Sequence, residues 1–417
     1  MSAVEKIDTL VVGAGQAGLA MSEHLSINDI PHMIVERDRI AERWRTARWD
    51  SLVANGPAWH DRFPSMEFPQ SKPDDFPGKD EVVEYFEAFA RKISAPVRSG
   101  VEVKNLRRLD GRSGFLVSTS SGDIEALRVV CATGPFQQPN IPPIVPTDTD
   151  LLQMHSTGYR NPVDLPEGSV MVIGAGSSGA QIADELSRAG RRVFLSVGPH
   201  DRPPRRYRGK DFVWWLGVLG KWDIATPDPD TAHVTIAVSG ARGGKTVDFR
   251  NFANQGITLL GMTRSLENGV MTFAEDLVAN IAAGDANYLA MLDEADQFIV
   301  RNGLDFPPEP EARQFGNEAS CIINPVRELD LVKENVKTII WATGFSHDYS
   351  WLNVDVFDEQ GKPQHQRGVS REPGIYFLGL PWLSRRGSSF VWGVWHDAKF
   401  LADQIVIQRS YMAYEGG

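Results

Sequence analysis

The chain has 417 residues, of which 42% are hydrophobic and 23% charged, and its formal net charge at pH 7 is −11. This length suits two globular domains, and the acidic balance argues against nucleic-acid binding and against an anionic membrane surface. We find neither a signal peptide nor a run of about 18 apolar residues that could span a membrane. We therefore expect a cytoplasmic protein with no nucleic-acid or membrane partner.

The first predicted elements form a βαβ unit. A strand, Ile7–Val12, leads into a Gly-x-Gly-x-x-Gly turn and a helix, Gln16–Ser26, and a second strand, Pro31–Glu36, closes the unit. Such a turn lets backbone N–H groups approach a pyrophosphate at a helix N-terminus. We assign the following turn residues to cofactor binding: Gly13, Gly15, Gln16, Ala17 and Gly18.

The residue that selects the nucleotide lies at the end of the second strand. Glu36 carries a carboxylate, which accepts hydrogen bonds from a ribose diol and repels a 2′-phosphate. It therefore favours FAD or NAD over NADP at the first turn, and the neighbouring Arg37 is included in this site.

Residues 37–163 predict an arginine- and tryptophan-rich loop, an amphipathic helix within residues 73–93, and short strands that end in Val129–Ala132. Val103, in the strand-rich part, is assigned to the cofactor site. The proline-rich stretch "QQPNIPPIVPTDTD" that follows is a natural domain boundary.

A second strand, glycine turn and helix occur in "SVMVIGAGSSGAQIADEL", which begins at Ser169. The strand after it, "RRVFLSVG", ends without an acid and leads into "PHDRPPRRYRGKD". Guanidinium groups there could hold a 2′-phosphate bidentately, although a solvated basic loop is the alternative. We therefore place FAD at the first turn and NADPH at the second, with these candidate residues at the second: Gly174, Gly176, Ser177, Ser178, Gly179, Arg205 and Arg206.

The segment "VKTIIWATGF", Val336–Phe345, echoes "LRVVCATGPF", Leu127–Phe136. Each glycine turn thus has a strand-ATG counterpart, and Thr133, Gly134, Thr343 and Gly344 are assigned to cofactor binding. The simplest fold class is α/β with two Rossmann-like dinucleotide-binding domains, the NADPH domain inserted into the FAD domain; two domains in tandem are the alternative. The predicted bounds are 1–163 and 325–417 for the FAD-binding domain and 164–324 for the NADPH-binding domain.

The whole pattern resembles the class B flavin-dependent monooxygenases, and in particular a bacterial branch related to the YUCCA and flavin-containing monooxygenases, often labelled as potassium-transport-associated flavoproteins. The resemblance runs nearly end to end and is carried by "GAGQAG", "WRTARWDSL", "RFPSMEFP", "HSTGYRNP", "GAGSSG", "PRRYRGKD", "ANQGITLLG", "WATGF" and "YFLGLPWL". It implies that NADPH reduces FAD, that O2 adds at flavin C4a, and that the resulting (hydro)peroxyflavin passes one oxygen atom to a small organic substrate.

The resemblance also implies residues beside the flavin. Trp44 and Arg45 match a Trp-Arg step next to it, and Leu380 lies in the segment Gly379–Val391 that should close over it. Asn55 resembles an asparagine near C4a and the nicotinamide, where it could hydrogen-bond the peroxy adduct. The alternative is an ordinary Asn-Gly turn.

His155 is the second candidate catalytic residue. It falls in a motif whose family version carries Phe and Gly where this chain has Thr149 and Leu151. The histidine is therefore expected to act in the hinge between the domains, or simply to pack. The altered motif also argues against a Baeyer–Villiger enzyme.

Other features leave several functions open. The lead is N- or S-oxygenation; the alternatives are Baeyer–Villiger or oxidative-decarboxylating oxygenation of a carbonyl, an NADPH-dependent flavin reductase or oxidase, and a non-enzymatic redox sensor. The two cysteines form no C-x-x-C pair, and the nine histidines lack metal-ligand spacing. O2 and a small-molecule substrate are the expected partners, and a homodimer is compatible with the sequence.

Two further segments have uncertain roles. Tryptophans in "FVWWLGVLGKWD" and "VWGVWHDA" could line an aromatic substrate pocket or pack in the core. Residues Thr272–Asn302 predict two helices split near Gly284 that cover the active site.

Overall fold

The computed structural model describes residues 4–226 and 235–414. Its strands, in chain order, are β1 (Glu5–Val12), β2 (His32–Glu36), β3 (Val97–Ser99), β4 (Val103–Arg108), β5 (Phe115–Thr119), β6 (Gly122–Cys131), β7 (Gln138–Pro139), β8 (Leu152–His155), β9 (Ser169–Ile173), β10 (Val193–Ser196), β11 (His200–Asp201), β12 (Arg206–Tyr207), β13 (Lys210–Asp211), β14 (Thr235–Ile236), β15 (Thr258–Leu260), β16 (Thr263–Glu267), β17 (Val270–Phe273), β18 (Glu328–Asp330), β19 (Val336–Trp341), β20 (Phe345–Ser346), β21 (His365–Gln366), β22 (Val369–Ser370) and β23 (Ile375–Phe377). The α-helices are α1 (Gln16–Ile27), α2 (Glu42–Thr46), α3 (Lys79–Lys92), α4 (Ser177–Arg188), α5 (Phe212–Val218), α6 (Phe249–Asn254), α7 (Leu277–Asn302), α8 (Ser320–Ile323) and α9 (Val391–Met412).

The first sheet has the order β21-β22-β23-β6-β1-β2-β3, with β4 and β5 attached to β6. Its centre is parallel, with Leu10 of β1 opposite Met33 of β2 and Val129 of β6. Leu10 and Val129 are fully buried, as expected for the middle of a parallel sheet covered by helices on its faces. The chain leaves this sheet after Cys131 and returns to it at His365.

The second sheet has the order β15-β10-β9-β19-β8 and is parallel throughout. Every residue of the central strand β9 is buried. The two sheets confirm the predicted α/β class with parallel sheets.

The second sheet also extends past the predicted bounds of 164 and 324, because it includes β8 and β19. The reason lies in how each ATG segment packs. A Cβ on Gly174 would lie 2.5 Å from the carbonyl oxygen of Ala342, and a Cβ on Gly13 would lie 2.6 Å from that of Ala132. Each ATG segment therefore contacts the glycine turn of its own sheet. The second ATG segment thus belongs to the second sheet and not to the C-terminal part of the first sheet.

The segment predicted as two helices contains the strand β17 and a single continuous helix, α7, that runs through Gly284. A Cβ at Gly284 would lie only 2.5 Å from Nε2 of His200, which packs against the helix. This glycine therefore permits close packing against β11 and does not break the helix.

Within the described ranges, 4–226 and 235–414, no helix combines the length and apolar character needed to cross a membrane. The same residues contain no group of three or more His, Cys, Asp or Glu side chains that could hold a metal ion.

Candidate functional site

Both glycine turns end in a helix that packs tightly against the turn. A Cβ on Gly18 would lie 1.9 Å from the carbonyl oxygen of Gly13, and a Cβ on Gly179 would lie 1.8 Å from that of Gly174. Any side chain at Gly18 or Gly179 would therefore separate helix from turn. This is the close helix–strand packing that a dinucleotide fingerprint requires of its last glycine.

The start of α1 leaves room for an anion. The helix begins after Gly15, which makes no side-chain cap, and the first turn holds no acid. A Cβ built on Gly15 meets nothing within 4 Å. Free N–H groups, a positive helix end and open space in front of them fit the pyrophosphate of a dinucleotide.

The start of α4 repeats this arrangement after Gly176, again without a side-chain cap or an acid in the first turn. Ser177 is used internally, because its hydroxyl donates to the carbonyl of Ile236 at 2.9 Å and accepts from the N–H of Val238 at 3.2 Å. Ser178 is half-buried next to it. The backbone donors of this turn thus fit a second pyrophosphate.

Glu36 reaches back to the first turn. Its Oε2 accepts from the N–H of Ala14 at 2.8 Å, and its Oε1 accepts from the N–H of Asp38 at 3.0 Å. A carboxylate can accept about four hydrogen bonds, so it keeps capacity for a ribose diol. Arg37 is exposed and lies 3.3 Å from the carboxylate of Asp38.

The first ATG loop is held by one side chain. Nε2 of Gln137 donates to Oγ1 of Thr133 at 2.9 Å and to the carbonyl of Gly134 at 2.7 Å. Gly134 has a φ of 72°, a left-handed conformation that favours glycine. The loop is therefore rigid next to the first glycine turn.

The second ATG loop is tied to the chain that follows the first. Thr343 donates its hydroxyl to the carbonyl of Asn140, and the N–H of Asn140 donates to the carbonyl of Gly344 at 3.0 Å. Next to this contact β20 pairs with β7, and Phe345 lies edge-on to Phe136 at 5.2 Å. The two loops are thus joined by a short ribbon between the sheets.

His155 ends β8 and supports this ribbon. Its Nε2 lies 3.0 Å from the carbonyl of Gly344, and its Nδ1 accepts from the N–H of Thr157 at 3.3 Å. Its ring also lies edge-on to Phe345 at 4.9 Å. With both nitrogens used by the protein, the neutral Nε2–H tautomer fits best, and the role of His155 in the hinge stays a prediction.

Replacing His155 with glutamine should make stability less sensitive to acid. Burial lowers the pKa of His155 below its ordinary value of about 6.5. Its stabilising contribution is therefore complete above that pH and is lost as the pH falls through the folded-state pKa. Chemical denaturation at several pH values between about 7 and 5 should show a shallower loss of unfolding free energy in the variant than in the wild type. Parallel losses would contradict this role.

The other predicted flavin-side residues are mostly engaged in packing. Trp44 packs against the cores of both sheets, and Arg45 forms an ion pair with Glu87 of α3. Leu380 is buried in the first core, and Val103 is half-buried in β4. These positions lie in the first domain, and their contact with a flavin stays a prediction.

Asn55 lies beside α4, the helix that follows the second glycine turn. Its Oδ1 accepts from Nε2 of Gln181 on α4 at 2.8 Å, and its carbonyl accepts from Nη1 of Arg205 at 2.6 Å. Because Gln181 binds only the side-chain oxygen, the amide nitrogen of Asn55 can still donate. An Asn-Gly turn at this position therefore does not exclude a contact with a cofactor. The sequence did not single out Gln181. The available signal was a polar glutamine between the apolar residues Ala180 and Ile182.

The assignment of Arg205 to a 2′-phosphate needs correction. Its side chain is only 2% exposed, and it donates to both carboxylate oxygens of Asp211, with Nε at 2.9 Å from Oδ2. The guanidinium also lies 4.7 Å from the ring of Phe76 and 4.6 Å from that of Phe212. Arg205 is therefore a buried structural ion pair. Arg206 is exposed and donates to the carbonyl of Gly243 at 2.8 Å.

Neighbouring basic residues behave like Arg205. Arg202 pairs with Asp285 and Arg208 with Asp296, each at 2.8 Å. The charge run after β10 is thus largely neutralised within the protein. Sequence alone could not reveal this, because the acids come from the distant helix α7.

Two motifs noted in the sequence are joined to each other and to α4. Arg160 donates to the carbonyl of Thr46, and the hydroxyl of Tyr159 donates to Glu185 of α4 at 2.9 Å. Ser51 donates to the other carboxylate oxygen of Glu185 at 2.7 Å. The segments "WRTARWDSL" and "HSTGYRNP" therefore hold α4, the helix of the second glycine turn, in place through Glu185.

Comparison with known proteins gives the family. A model described as pyridine nucleotide-disulphide oxidoreductase matches residues 10–208. A CzcO-like oxidoreductase of Geobacillus kaustophilus is 36% identical, and the match covers 96% of this chain and 98% of the relative. The chain belongs to the CzcO-like oxidoreductases.

More distant relatives place these CzcO-like oxidoreductases in a larger group. Rice YUCCA1, named an indole-3-pyruvate monooxygenase, is 29% identical over 91% of this chain and 88% of its own. The flavin-containing monooxygenase of Stenotrophomonas maltophilia shares the fold, with a TM-score of 0.67 at 19% identity over 97% of this chain and 100% of that one. The chain thus belongs to an oxidoreductase family whose more distant relatives are named monooxygenases, in agreement with the predicted resemblance to the class B flavin-dependent monooxygenases.

Proposed function

We propose that this enzyme uses NADPH and FAD to transfer one atom of O2 to a small organic substrate. The second oxygen atom leaves as water, and NADPH supplies the two electrons. One observation carries the proposal: the chain holds two glycine turns, each with an uncapped helix N-terminus and its own ATG loop. One such site suits a flavin dinucleotide and the other suits its reductant.

The ends of the neighbouring strands support the order of the two nucleotides. β2 ends in Glu36, which suits the ribose diol of FAD, whereas β10 ends in Ser196, whose hydroxyl donates to the carbonyl of Gly261. A site without a carboxylate at this point does not repel the 2′-phosphate of NADPH. We infer that the NADPH-binding domain is inserted into the FAD-binding domain, since the strands of the second sheet lie between those of the first along the chain.

The bound flavin supplies the redox and oxygen chemistry, and the protein supplies binding and positioning. Backbone N–H groups at the two turns hold the pyrophosphates, and Glu36 orients a ribose. Asn55, fixed by Gln181, offers an amide N–H between the two cofactor sites, where a donor shielded from water is most effective.

N- or S-oxygenation of a soft nitrogen or sulfur centre is the first candidate reaction. A second candidate is oxygenation of a carbonyl with loss of carbon dioxide. It is favoured by the full-length YUCCA relatives, whose name denotes a 2-oxo acid substrate.

The test uses the FAD-loaded enzyme with NADPH and dioxygen enriched in the heavy isotope. Amines, sulfides and 2-oxo acids are offered in parallel, and NADPH consumption, hydrogen peroxide and product mass are measured. We expect one class to yield a product that carries one heavy oxygen atom per NADPH consumed. Stoichiometric hydrogen peroxide with every compound would instead indicate an NADPH-dependent flavin oxidase.

A further inference from the structure

A buried histidine lies where three tryptophans meet. His60 is 4% exposed; its ring stacks on Trp222 at 5.0 Å, lies 5.7 Å from Trp392, and meets the edge of Trp59 at 5.3 Å. Its Nε2 is buried and finds no hydrogen-bond partner in residues 4–226 and 235–414. Buried polar atoms are almost always paired, so this nitrogen marks a place where another molecule completes the hydrogen bonding.

The protonation of this ring is set by its neighbour. Nδ1 of His60 lies 2.9 Å from Oδ1 of Asp61, and an ionised carboxylate can only accept. Nδ1 therefore carries a proton, and in the neutral form of the ring Nε2 presents a lone pair. Asp61 is itself fixed, since its Oδ2 accepts from the N–H of Gly56 at 3.0 Å. The group that Nε2 lacks is thus a hydrogen-bond donor.

The surroundings of the histidine are connected by contacts to both glycine-turn helices. On one side the same turn contains Asn55, which is bonded to Gln181 of α4. On the other side Trp222 contacts Phe390 at 5.0 Å. The carbonyl of the residue before Phe390 accepts from Nε2 of Gln16, the first residue of α1, at 2.6 Å. Contacts thus connect the surroundings of His60 to α4 through Asn55 and to α1 through Trp222 and Phe390.

A cavity lies next to the tryptophan cluster, and residues that line it contact Trp392, although His60 and the three tryptophans do not line it themselves. Trp392 lies 5.3 Å from His396 and 5.4 Å from the guanidinium of Arg385. His396 and Arg385 line a cavity of about 290 Å³, together with Asp223 and Ser384. This volume lies near the lower end for small-molecule sites.

We propose that His60 is a substrate-binding residue whose Nε2 accepts a hydrogen bond from a flat aromatic substrate that packs on Trp222 and Trp392. The aromatic walls select a planar apolar body, and the lone pair selects an N–H or O–H group on it. The inference rests on the proposed monooxygenase function and names the substrate class of that site.

The test compares equilibrium binding of naphthol and its methyl ether, which differ in the hydroxyl donor, to the FAD-loaded enzyme by calorimetry. We expect the wild type to bind naphthol roughly fivefold more tightly. His60→Asn keeps an N–H toward Asp61 but lacks Nε2, and should abolish this preference. His60→Gln, whose amide oxygen can replace Nε2, should retain part of it.

Two controls keep the test decisive. His365→Asn alters a histidine of β21 that lies outside the tryptophan cluster and should leave the preference unchanged. Trp222→Phe should weaken both ligands by similar factors, so it probes the aromatic wall even if a His60 variant fails to fold.

An unchanged preference in His60→Asn, unchanged affinities in Trp222→Phe, or binding of neither compound to the wild type would overturn the proposal. The measurement needs neither NADPH nor O2, so it is independent of oxygen transfer. A His60-dependent preference without heavy-oxygen product would count against the proposed function alone.

Discussion

Replacing Gly15 with valine is expected to remove the flavin from the purified protein while leaving the fold intact. Gly15 has a φ of −86°, which valine adopts without strain, and a Cβ there meets no atom within 4 Å. The valine side chain would instead occupy the space in front of the free N–H groups of α1. The flavin-to-protein ratio, measured from visible absorbance, should fall roughly tenfold or more, because an anion loses its backbone donors.

Gly78→Val is the matched control. Gly78 also precedes a helix, α3, has a φ of −67°, makes no side-chain cap, and leaves its Cβ position open. It lies outside the dinucleotide fingerprint, so the variant should keep its flavin. Retention of flavin by Gly15→Val would remove the first turn from the cofactor site, and an equal loss in both variants would indicate a general effect of valine at a helix start.

The second large effect is expected at Arg205. Arg205→Ala removes the charged partner of Asp211, whose side chain is 10% exposed and, within the described ranges, keeps only the hydrogen bond from the N–H of Val213 at 3.0 Å. Breaking a buried ion pair in this way costs about 3–5 kcal/mol of unfolding free energy. Chemical denaturation should show this loss with or without nucleotide. A change below about 1 kcal/mol would mean that Asp211 is stabilised by another group.

Arg206→Ala tests the choice between NADPH and NADH separately from the stability of the fold. Arg206 is exposed, so its replacement should change the unfolding free energy by no more than about 0.5 kcal/mol. If its guanidinium holds the 2′-phosphate, the ratio of kcat/KM for NADPH to that for NADH should fall in the variant. An unchanged ratio would show that another group selects the nucleotide.

Much of the fold could be predicted from sequence because its signals are local. The strand β1, the turn after it, and α1 lie within 23 residues, and the same unit recurs at β9 and α4. Apolar strands, glycines that allow close packing, and a helix start are short-range features that neighbouring residues determine. The resemblance to the class B monooxygenases depends on these motifs and their order along the chain.

The tertiary structure decided which distant segments meet. β19 lies in the second sheet, where it pairs with β9 and the carbonyl of Ala342 packs on Gly174, and Arg202 proved buried because Asp285 of the distant helix α7 pairs with it. Such contacts depend on strand order and on the packing of loops, and a charge run or a repeat does not encode them locally.

The same distinction applies to the site itself. The sequence by itself determined two glycine turns, an acid after the first, and an Asn-Gly step at Asn55. Only the three-dimensional packing joined Asn55 to Gln181, 126 positions away, and brought Trp222 and Trp392 around His60. The physical reason is that cofactor turns are built from backbone geometry within one unit, whereas a substrate pocket is built from side chains of loops that meet only in the folded chain.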